Sequence, residues 1–222
     1  MSGHLNGQTP SIVMSSQVTL KGIVLTRLFA LLKKAVPLTG NLHLTGDFKT
    51  EGALHQLNFA HLMQNLEGSL TANITNGSFI GVDYEALACQ GLATINKQRF
   101  NQNAKSGQKT THFKSLNGHA TIHKGIIRNN ALKIEIPGLN ATGNGTINLN
   151  LESLDYRINL DFQALGSAQK QCAMDSFLKH VAIPLRCQGS YTHAGNNLCG
   201  LDQDALGKMI ADTVKSTIES TI

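Results

Sequence analysis

Four cysteines offer the clearest chemistry in this sequence, and three of them, Cys172, Cys187 and Cys199, fall in the last quarter of the chain. Together with His180 and His193 they could be imagined as zinc ligands. Their spacings are too wide for the usual zinc motifs, however, and no Cys-x-x-Cys pair exists. An even number of widely spaced cysteines is typical of disulfides in an oxidising compartment, with buried free thiols as the other possibility. Among the pairings, Cys187 with Cys199 is the first choice because it closes a short loop.

Catalytic motifs are missing from the sequence. There is no Gly-x-Ser-x-Gly, no His-Glu-x-x-His and no phosphate-binding Walker loop. The pair Gly143-x-Gly145 is not followed by a helical pattern and lies inside an alternating segment, which favours a bulge or a sharp bend in a strand. We therefore expect a protein that is not an enzyme and that needs no cofactor and no metal.

Composition narrows the class of partner. The formal charge is +5, from 19 Lys+Arg against 14 Asp+Glu, and aromatic residues make up only 5%. Basic residues do not interleave with aromatic ones as nucleic-acid surfaces require, so no nucleic acid is expected. An ordinary solvated surface with a mild basic excess explains the charge, and attraction to anionic lipid is the alternative.

The N-terminal region shows no export or anchoring signal. It lacks a basic segment followed by an apolar one, so no signal peptide is expected. The most apolar stretch, "GIVLTRLFALLKKAVPL", is interrupted by Arg27, Lys33 and Lys34 and is not expected to span a membrane. Taken alone, this region predicts a soluble cytoplasmic chain.

Strict alternation of apolar and polar residues dominates residues 118–162 and predicts a series of half-buried β-strands. Pro137-Gly138 separates two of them, and Asn76-Gly77, further upstream, predicts a hairpin turn. The fold class that follows is mainly β with peripheral helices (α+β), in which a long twisted antiparallel sheet forms a curved, groove-like half-barrel. The apolar residues that would line its groove are Leu132, Ile134, Ile136, Ile147, Leu149, Leu151, Ile158 and Leu160.

Short helices accompany the strands. Asp83 is a candidate N-cap for one of them, and Asp202 for an amphipathic helix at the C-terminus. We accordingly divide the chain into a β-groove domain, residues 1–202, and a C-terminal amphipathic helix, residues 203–222. The apolar face of the sheet could be covered by these helices, could hold acyl chains, or could dock a protein partner.

An ordered series of segments carries a family resemblance. "LTGNLHLTGDF" leads through a helical segment to "LEGSLTANITNGSFIGVDYEAL", and a second block contains Leu116-Asn117-Gly118, Gly143-x-Gly145 and Leu154-Asp155-Tyr156-Arg157. The series closes with "VAIPLRCQGSYTHAGNNLCGLD". Over about residues 15 to 202, the chain resembles the C-terminal domain of the AsmA-like family, which is related to TamB and to the chorein-type bridge-like lipid transfer proteins.

The resemblance implies a non-enzymatic periplasmic protein of the Gram-negative envelope, associated with the inner membrane. It further implies a role in outer-membrane biogenesis and in phospholipid transport along a β-groove. Its partners would be phospholipid or another acyl-chain lipid, an inner- or outer-membrane surface, or assembly proteins. On this resemblance, the family's N-terminal anchor and preceding domain are expected to be missing from this chain. The alternatives are therefore an interaction module that assists outer-membrane protein assembly, or a truncated remnant without independent function.

A periplasmic location would favour a specific pairing of the four cysteines. Two disulfides, Cys187–Cys199 and Cys89–Cys172, would form in an oxidising compartment. Cys89 lies on the third helical segment, where a small buried thiol would also fit, and Cys172 could reach either partner. Separations between Cα atoms beyond about 7 Å for both pairs would contradict the hypothesis.

Overall fold

The computed structural model describes residues 11–31, 38–53, 59–95, 110–162, 172, 182–191 and 198–219. In this part of the chain, nine strands form one sheet in which each strand pairs antiparallel with the next. The strands are β1 (Ser11–Val24), β2 (Asn41–Ala53), β3 (Glu67–Ile80), β4 (Thr110–His123), β5 (Ile126–Ile136), β6 (Leu139–Asn148), β7 (Ser153–Phe162), β8 (Ile183–Ser190) and β9 (Cys199–Leu201). The helices described are α1 (Leu25–Leu31), α2 (Phe59–Gln64), α3 (Tyr84–Ile95) and α4 (Gln203–Glu219). The predicted fold class is confirmed: the protein is mainly β, and its antiparallel sheet is open and curled.

One face of the sheet, called the inner face below, holds the core. Residues paired across antiparallel strands point to the same side, so the register identifies the face directly. A single apolar row crosses eight strands in this way. Its members, from β1 to β8, are Ile23, Leu42, Ile74, Leu116, Ile134, Ala141, Leu160 and Ile183.

The contacts of Tyr84, the first residue of α3, show how far the sheet curls. Its ring packs edge-on against Phe79 of β3, with centroids 5.2 Å apart, and its hydroxyl lies 3.9 Å from the sulfur of Cys199 in β9. In a flat sheet, strands six positions apart would be separated by about 29 Å. One side chain can reach both strands only because the sheet curls around α3, with the inner face as its concave side.

A β-bulge in β5 contributes to the irregularity of the sheet. One extra β5 residue is accommodated between Asn129 and Leu132, against both β4 and β6. The side chain of Asn129 is buried there, and its Nδ2 donates a 2.6 Å hydrogen bond to the backbone oxygen of His119. Asn129 thus satisfies a carbonyl group beside the bulge, as buried backbone groups require.

The sequence predicts a bulge or bend at Gly143 and Gly145, which lie in β6. This prediction is wrong about which strand carries the bulge. β6 pairs with β7 without a register shift, and the bulge lies in β5 opposite these glycines. Gly145 is needed for space instead, because a Cβ atom there would lie 2.6 Å from Cγ of Tyr156, its cross-strand partner. The ring of Tyr156 covers the glycine, an arrangement that pins the register of glycine-containing strands.

The predicted hairpin at Asn76-Gly77 is also wrong, since β3 continues through both residues and pairs with β4 on either side of them. A type I′ hairpin needs two consecutive residues with positive φ, whereas only Asn76 has one, at 50°. The single left-handed residue shifts the phase of the alternation without reversing the chain. Beyond it, Phe113 and Thr111 of β4 become buried.

Both predicted helix caps are confirmed. The Oδ1 atom of Asp83 accepts a hydrogen bond from Ala86 N at 2.9 Å, and that of Asp202 accepts one from Ala205 N at 3.0 Å. In α4, Leu206 is buried, so the start of this helix packs onto the β-domain. Among the described residues, no helix is both long and apolar enough to cross a membrane.

Candidate functional site

The inner face is the candidate site, and it brings together most of the residues predicted to line a groove. Ile134 pairs through Ala141 with Leu160, and Leu132 pairs through Gly143 with Ile158. Ile136 lies two residues beyond Ile134 on the same strand face, and Ile147 lies on the same face of β6. Alternation in the sequence therefore placed these six residues on one face correctly.

Leu149 and Leu151 lie beyond the last residue of β6. The strand that was predicted to continue through them ends at Asn148, so this part of the prediction is wrong. The side-chain oxygen of Asn148 accepts hydrogen bonds from the backbone N–H groups of Asn150 and Leu151, each at 3.0 Å, which turns the chain. Leu151 is consequently 71% exposed at the tip of the turn.

The inner face has two parts that differ in exposure. The first, called the upper bed, consists of residues that are at most 3% exposed: Ile134, Ile136, Leu139, Leu160, Ile183 and Leu185. The second, called the lower bed, consists of partly exposed residues at the other end of the strands: Val18, Leu70, Ile127, Ile147 and Leu154. Unlike the upper bed, the lower bed is therefore accessible to solvent.

Helix α3 explains why the upper bed is buried. Tyr84, Ala88 and Leu92 of α3 belong to the same hydrophobic cluster as the upper bed. A Cβ atom on Gly91 would collide with Cγ2 of Ile183 and would lie 3.2 Å from Cδ2 of Leu201, so the helix backbone lies directly on β8 and β9. The possibility that helices cover the apolar face therefore holds for this part of the sheet.

Both predicted disulfides are present. Cys89 of α3 is bonded to Cys172, with Cα atoms 5.2 Å apart, and Cys187 of β8 is bonded to Cys199 of β9, with Cα atoms 3.9 Å apart. The second pair joins residues that face each other across the sheet, so the short loop expected from the sequence corresponds to a cross-strand pair. The first pair ties the covering helix to a segment that follows β7.

The electrostatics of the inner face are those of an apolar surface. Within the described strands, no charged side chain occupies an inner-face position in the register. Burial raises the pKa values of the Tyr84 and Tyr156 hydroxyls, which keeps both neutral. No group of three or more His, Cys, Asp and Glu side chains that could hold a metal occurs in the part of the chain described.

Charged groups lie on the opposite face. Arg186 of β8 donates two hydrogen bonds to the Asp155 carboxylate of β7, from Nε at 3.2 Å and from Nη2 at 2.9 Å. This bidentate pair holds the pKa of Asp155 below its usual value. The described sheet is thus apolar on its inner face and polar on its outer face.

Sequence reasoning missed several residues of the upper bed, although the same alternation marks them. Leu139 follows the predicted Pro137-Gly138 turn, and Ile183 and Leu185 alternate in "IPLRCQGS". What the alternation could not reveal is the covering role of α3, because that depends on the curl of the sheet.

The family model described as "AsmA family" matches residues 2–132. The chain is also similar to "Protein AsmA" of Escherichia coli (strain K12), at 22% identity over 218 residues, which is 97% of this chain and 33% of that protein. It therefore spans about a third of the length of this curated relative, and no solved structure gives a significant match. Since the family model covers more than half of the 222 residues, this chain belongs to the AsmA family.

Proposed function

We propose that this chain is a non-enzymatic envelope protein that contributes to outer-membrane biogenesis by holding the acyl chains of phospholipids on its inner face. Membership of the AsmA family supports the envelope role and the link to outer-membrane biogenesis. Phospholipid transport, a periplasmic location and association with the inner membrane are the finer parts of the proposal.

The observation that carries the lipid-binding part is the apolar inner face of the sheet, whose central row is largely buried by the protein itself and whose lower bed is partly exposed. The central row crosses eight antiparallel strands without a charged residue, from Ile23 in β1 to Ile183 in β8. Seven strand spacings correspond to about 34 Å along the curve of the sheet. One leaflet of a bilayer has a hydrocarbon thickness of about 15 Å, so an extended acyl chain fits within this length.

The lower bed supports the same function because its apolar side chains are partly exposed. Each methylene group that leaves water for such a surface contributes about 0.8 kcal/mol. Few polar groups are fixed on the inner face, so we expect tolerance toward different head groups. This is consistent with a carrier of bulk phospholipid.

Native mass spectrometry of the chain purified from the envelope fraction of a Gram-negative host tests the proposal. We expect adducts with phospholipid masses on the folded protein. Lipid extraction followed by head-group identification then gives the class. Protein that carries no lipid, and that takes up none from vesicles, would contradict the proposal.

A matched pair of variants locates the binding surface. Leu154→Asn places an amide on the lower bed, whereas Leu151→Asn places the same amide on the exposed turn outside it. We expect lipid adducts to decrease in the first variant and to persist in the second. If both variants lose lipid adducts equally, or if neither variant loses them, the lower bed is excluded as the site.

A second candidate function, docking of a protein strand, is favoured by the edge strand β1. This strand has 14 residues and pairs only with β2 within the described sheet, while β9 at the opposite edge has only 3. Several of its apolar side chains are exposed, among them Val13 at 53% and Met14 at 40%. Long edge strands of this kind invite pairing with another chain. In the mass spectrometry experiment, lipid-free protein that self-associates would support this candidate, an interaction module in envelope assembly.

A further inference from the structure

Strand β1 lies at one edge of the sheet and is unprotected over most of its length. Within the described sheet it pairs only with β2, and residues 11–20 contain no charged residue, no proline and no glycine. Proteins usually protect an edge strand from pairing with other chains by a charge, a proline or a bulge. In β1 such features begin only at Lys21 and Gly22, where the register against β2 shifts. Residues 11–20 therefore keep the capacity to pair with another strand.

Apolar side chains along this edge are exposed to solvent. Met14 and Leu20, both at inner-face positions of the register, are 40% and 37% exposed, and Val13 on the outer face is 53% exposed. Leu42 and Ile74, at inner-face positions of the next two strands, are buried between neighbours on both sides. A further strand beside β1 would cover its apolar side chains in the same way.

The inner-face positions of β1 follow a symmetric sequence pattern. In chain order they are occupied by Ile12, Met14, Ser16, Val18 and Leu20, so that the central serine has two apolar residues on each side. When a strand pairs antiparallel with an identical strand about a two-fold axis, each residue lies opposite its mirror position in the second copy. A symmetric pattern of this kind is therefore complementary to itself.

One register of such a pair matches the whole pattern. With Ser16 opposite Ser16 of the second copy, Ile12 lies opposite Leu20 and Met14 lies opposite Val18. Shifting the centre by one residue in either direction places Ser16 opposite an apolar residue. Because the hydrophobic pattern sets the register where strands share a half-buried face, the pattern of β1 favours the register centred at Ser16.

The charges of β1 do not oppose this register. Lys21 is the only charged residue of the strand, and it lies five positions from Ser16. Two copies of Lys21 would thus be separated by ten positions, or about 34 Å along the strands. The opposite edge of the described sheet is formed by β9, which has only 3 residues, so pairing through β1 closes at two copies.

We propose that β1 pairs antiparallel with β1 of a second copy about a two-fold axis at Ser16, which joins two nine-stranded sheets into one continuous sheet. The proposal rests on the second candidate function above, docking of a strand at β1, and names a second copy of this chain as the partner. Inner-face positions pair with inner-face positions, so both inner faces lie on the same side. The lower bed, which includes Val18, then continues from one copy into the other.

A charge-reversal pair tests the two-fold axis. Ser16 is exposed, so Ser16→Lys and Ser16→Glu add a charge without disturbing the core. Two lysines directly opposite each other should raise the dissociation constant of the dimer about fivefold, measured by sedimentation equilibrium. An equimolar mixture of the two variants should restore dimerisation, because each lysine then faces a glutamate.

The same substitutions at Thr19 provide the matched control on the same edge. Thr19 is also exposed, but in the proposed register it lies opposite Val13 of the second copy. The two Thr19 positions are six residues apart along the strands, or about 20 Å. Mixing Thr19→Lys with Thr19→Glu should therefore give no more dimer than either variant alone.

A cysteine placed at the axis gives an independent test that does not depend on weakening the dimer. The four native cysteines are all in disulfides, so Ser16→Cys introduces a single free thiol. Residues directly opposite each other in an antiparallel pair have Cα atoms about 4.5–5.5 Å apart, within the range of about 4.4–6.8 Å that a disulfide spans. Mild oxidation of the purified protein should yield a covalent dimer for Ser16→Cys and not for Thr19→Cys.

The outcomes separate the dimer from the functions proposed above. Rescue by mixed charges and covalent dimer formation at residue 16, with neither at residue 19, supports the dimer. A wild type that stays monomeric, or a dimer that Ser16→Lys does not weaken and Ser16→Cys does not cross-link, overturns it. Native mass spectrometry of the same samples reports lipid adducts separately, so a monomer that carries phospholipid refutes the dimer and leaves the lipid-binding function standing.

Discussion

Leu160→Ala is expected to destabilise the protein strongly, and Leu151→Ala is its matched control. Leu160 is 0% exposed on β7, between Ala141 and Ile183 of the neighbouring strands. Buried Leu→Ala substitutions cost about 2–5 kcal/mol, depending on how far the surroundings collapse into the cavity. Ala141 is too short to fill the space, and Ile183 is held from above by α3. We therefore expect a loss of about 3–4 kcal/mol in the free energy of unfolding.

Urea unfolding followed by circular dichroism measures this loss. For a domain of this size, a slope of about 3 kcal/mol per M converts it into a decrease of about 1 M in the unfolding midpoint. Leu151→Ala should change the free energy of unfolding by no more than about 0.5 kcal/mol, because its side chain is 71% exposed. Similar midpoints for the two variants would refute the assignment of the inner face as the core, and with it the register on which the site is built.

Three further predictions concern the outer face, the bulge and the cysteines. The hydrogen bonds from Arg186 lower the pKa of Asp155, so their stabilisation is present above the unfolded-state value of about 3.9 and is lost as pH falls through the folded-state pKa. Asp155→Asn should thus lose less stability than the wild type between about pH 6 and pH 3, measured as urea midpoints, and equal losses would contradict this. Asn129→Ala removes the buried hydrogen bond to the backbone oxygen of His119 and should cost about 1–3 kcal/mol, whereas the exposed neighbour Asn130→Ala should cost little. Thiol titration of denatured protein from an oxidising host should find no free thiol, and four after reduction; free thiols before reduction would contradict the disulfides.

The strands of the second half of the chain could be predicted from alternation alone. Leu132, Ile134 and Ile136 face the same side because successive side chains in a strand point to opposite faces, whatever the rest of the molecule does. The caps Asp83 and Asp202 were predictable for a similar reason, since their hydrogen bonds connect residues three apart in sequence. The predictions that were wrong rested on local sequence signals that are compatible with two different structures. At Asn76-Gly77, the same left-handed residue can reverse a chain or shift the phase of a strand, and pairing with β4 decided for the second.

Of the two disulfides, one could be predicted from local sequence and the other depends on tertiary packing. Cys187 and Cys199 are 12 residues apart, so the sequence itself favours their pairing. Cys89 and Cys172 are 83 residues apart, and only the packing of α3 near β8 and β9 brings them together.

The sequence by itself determined that this protein is a sheet with one apolar and one polar face, because that property depends only on the period of the pattern. Only the tertiary structure decided what the apolar face meets. The curl brings β3 and β9 to the same tyrosine ring, and α3 comes to lie on Ile183. Curl accumulates over all the strands from twist, bulges and glycine positions, and no short segment encodes it. The closed upper bed and the open lower bed are therefore properties of the assembled sheet.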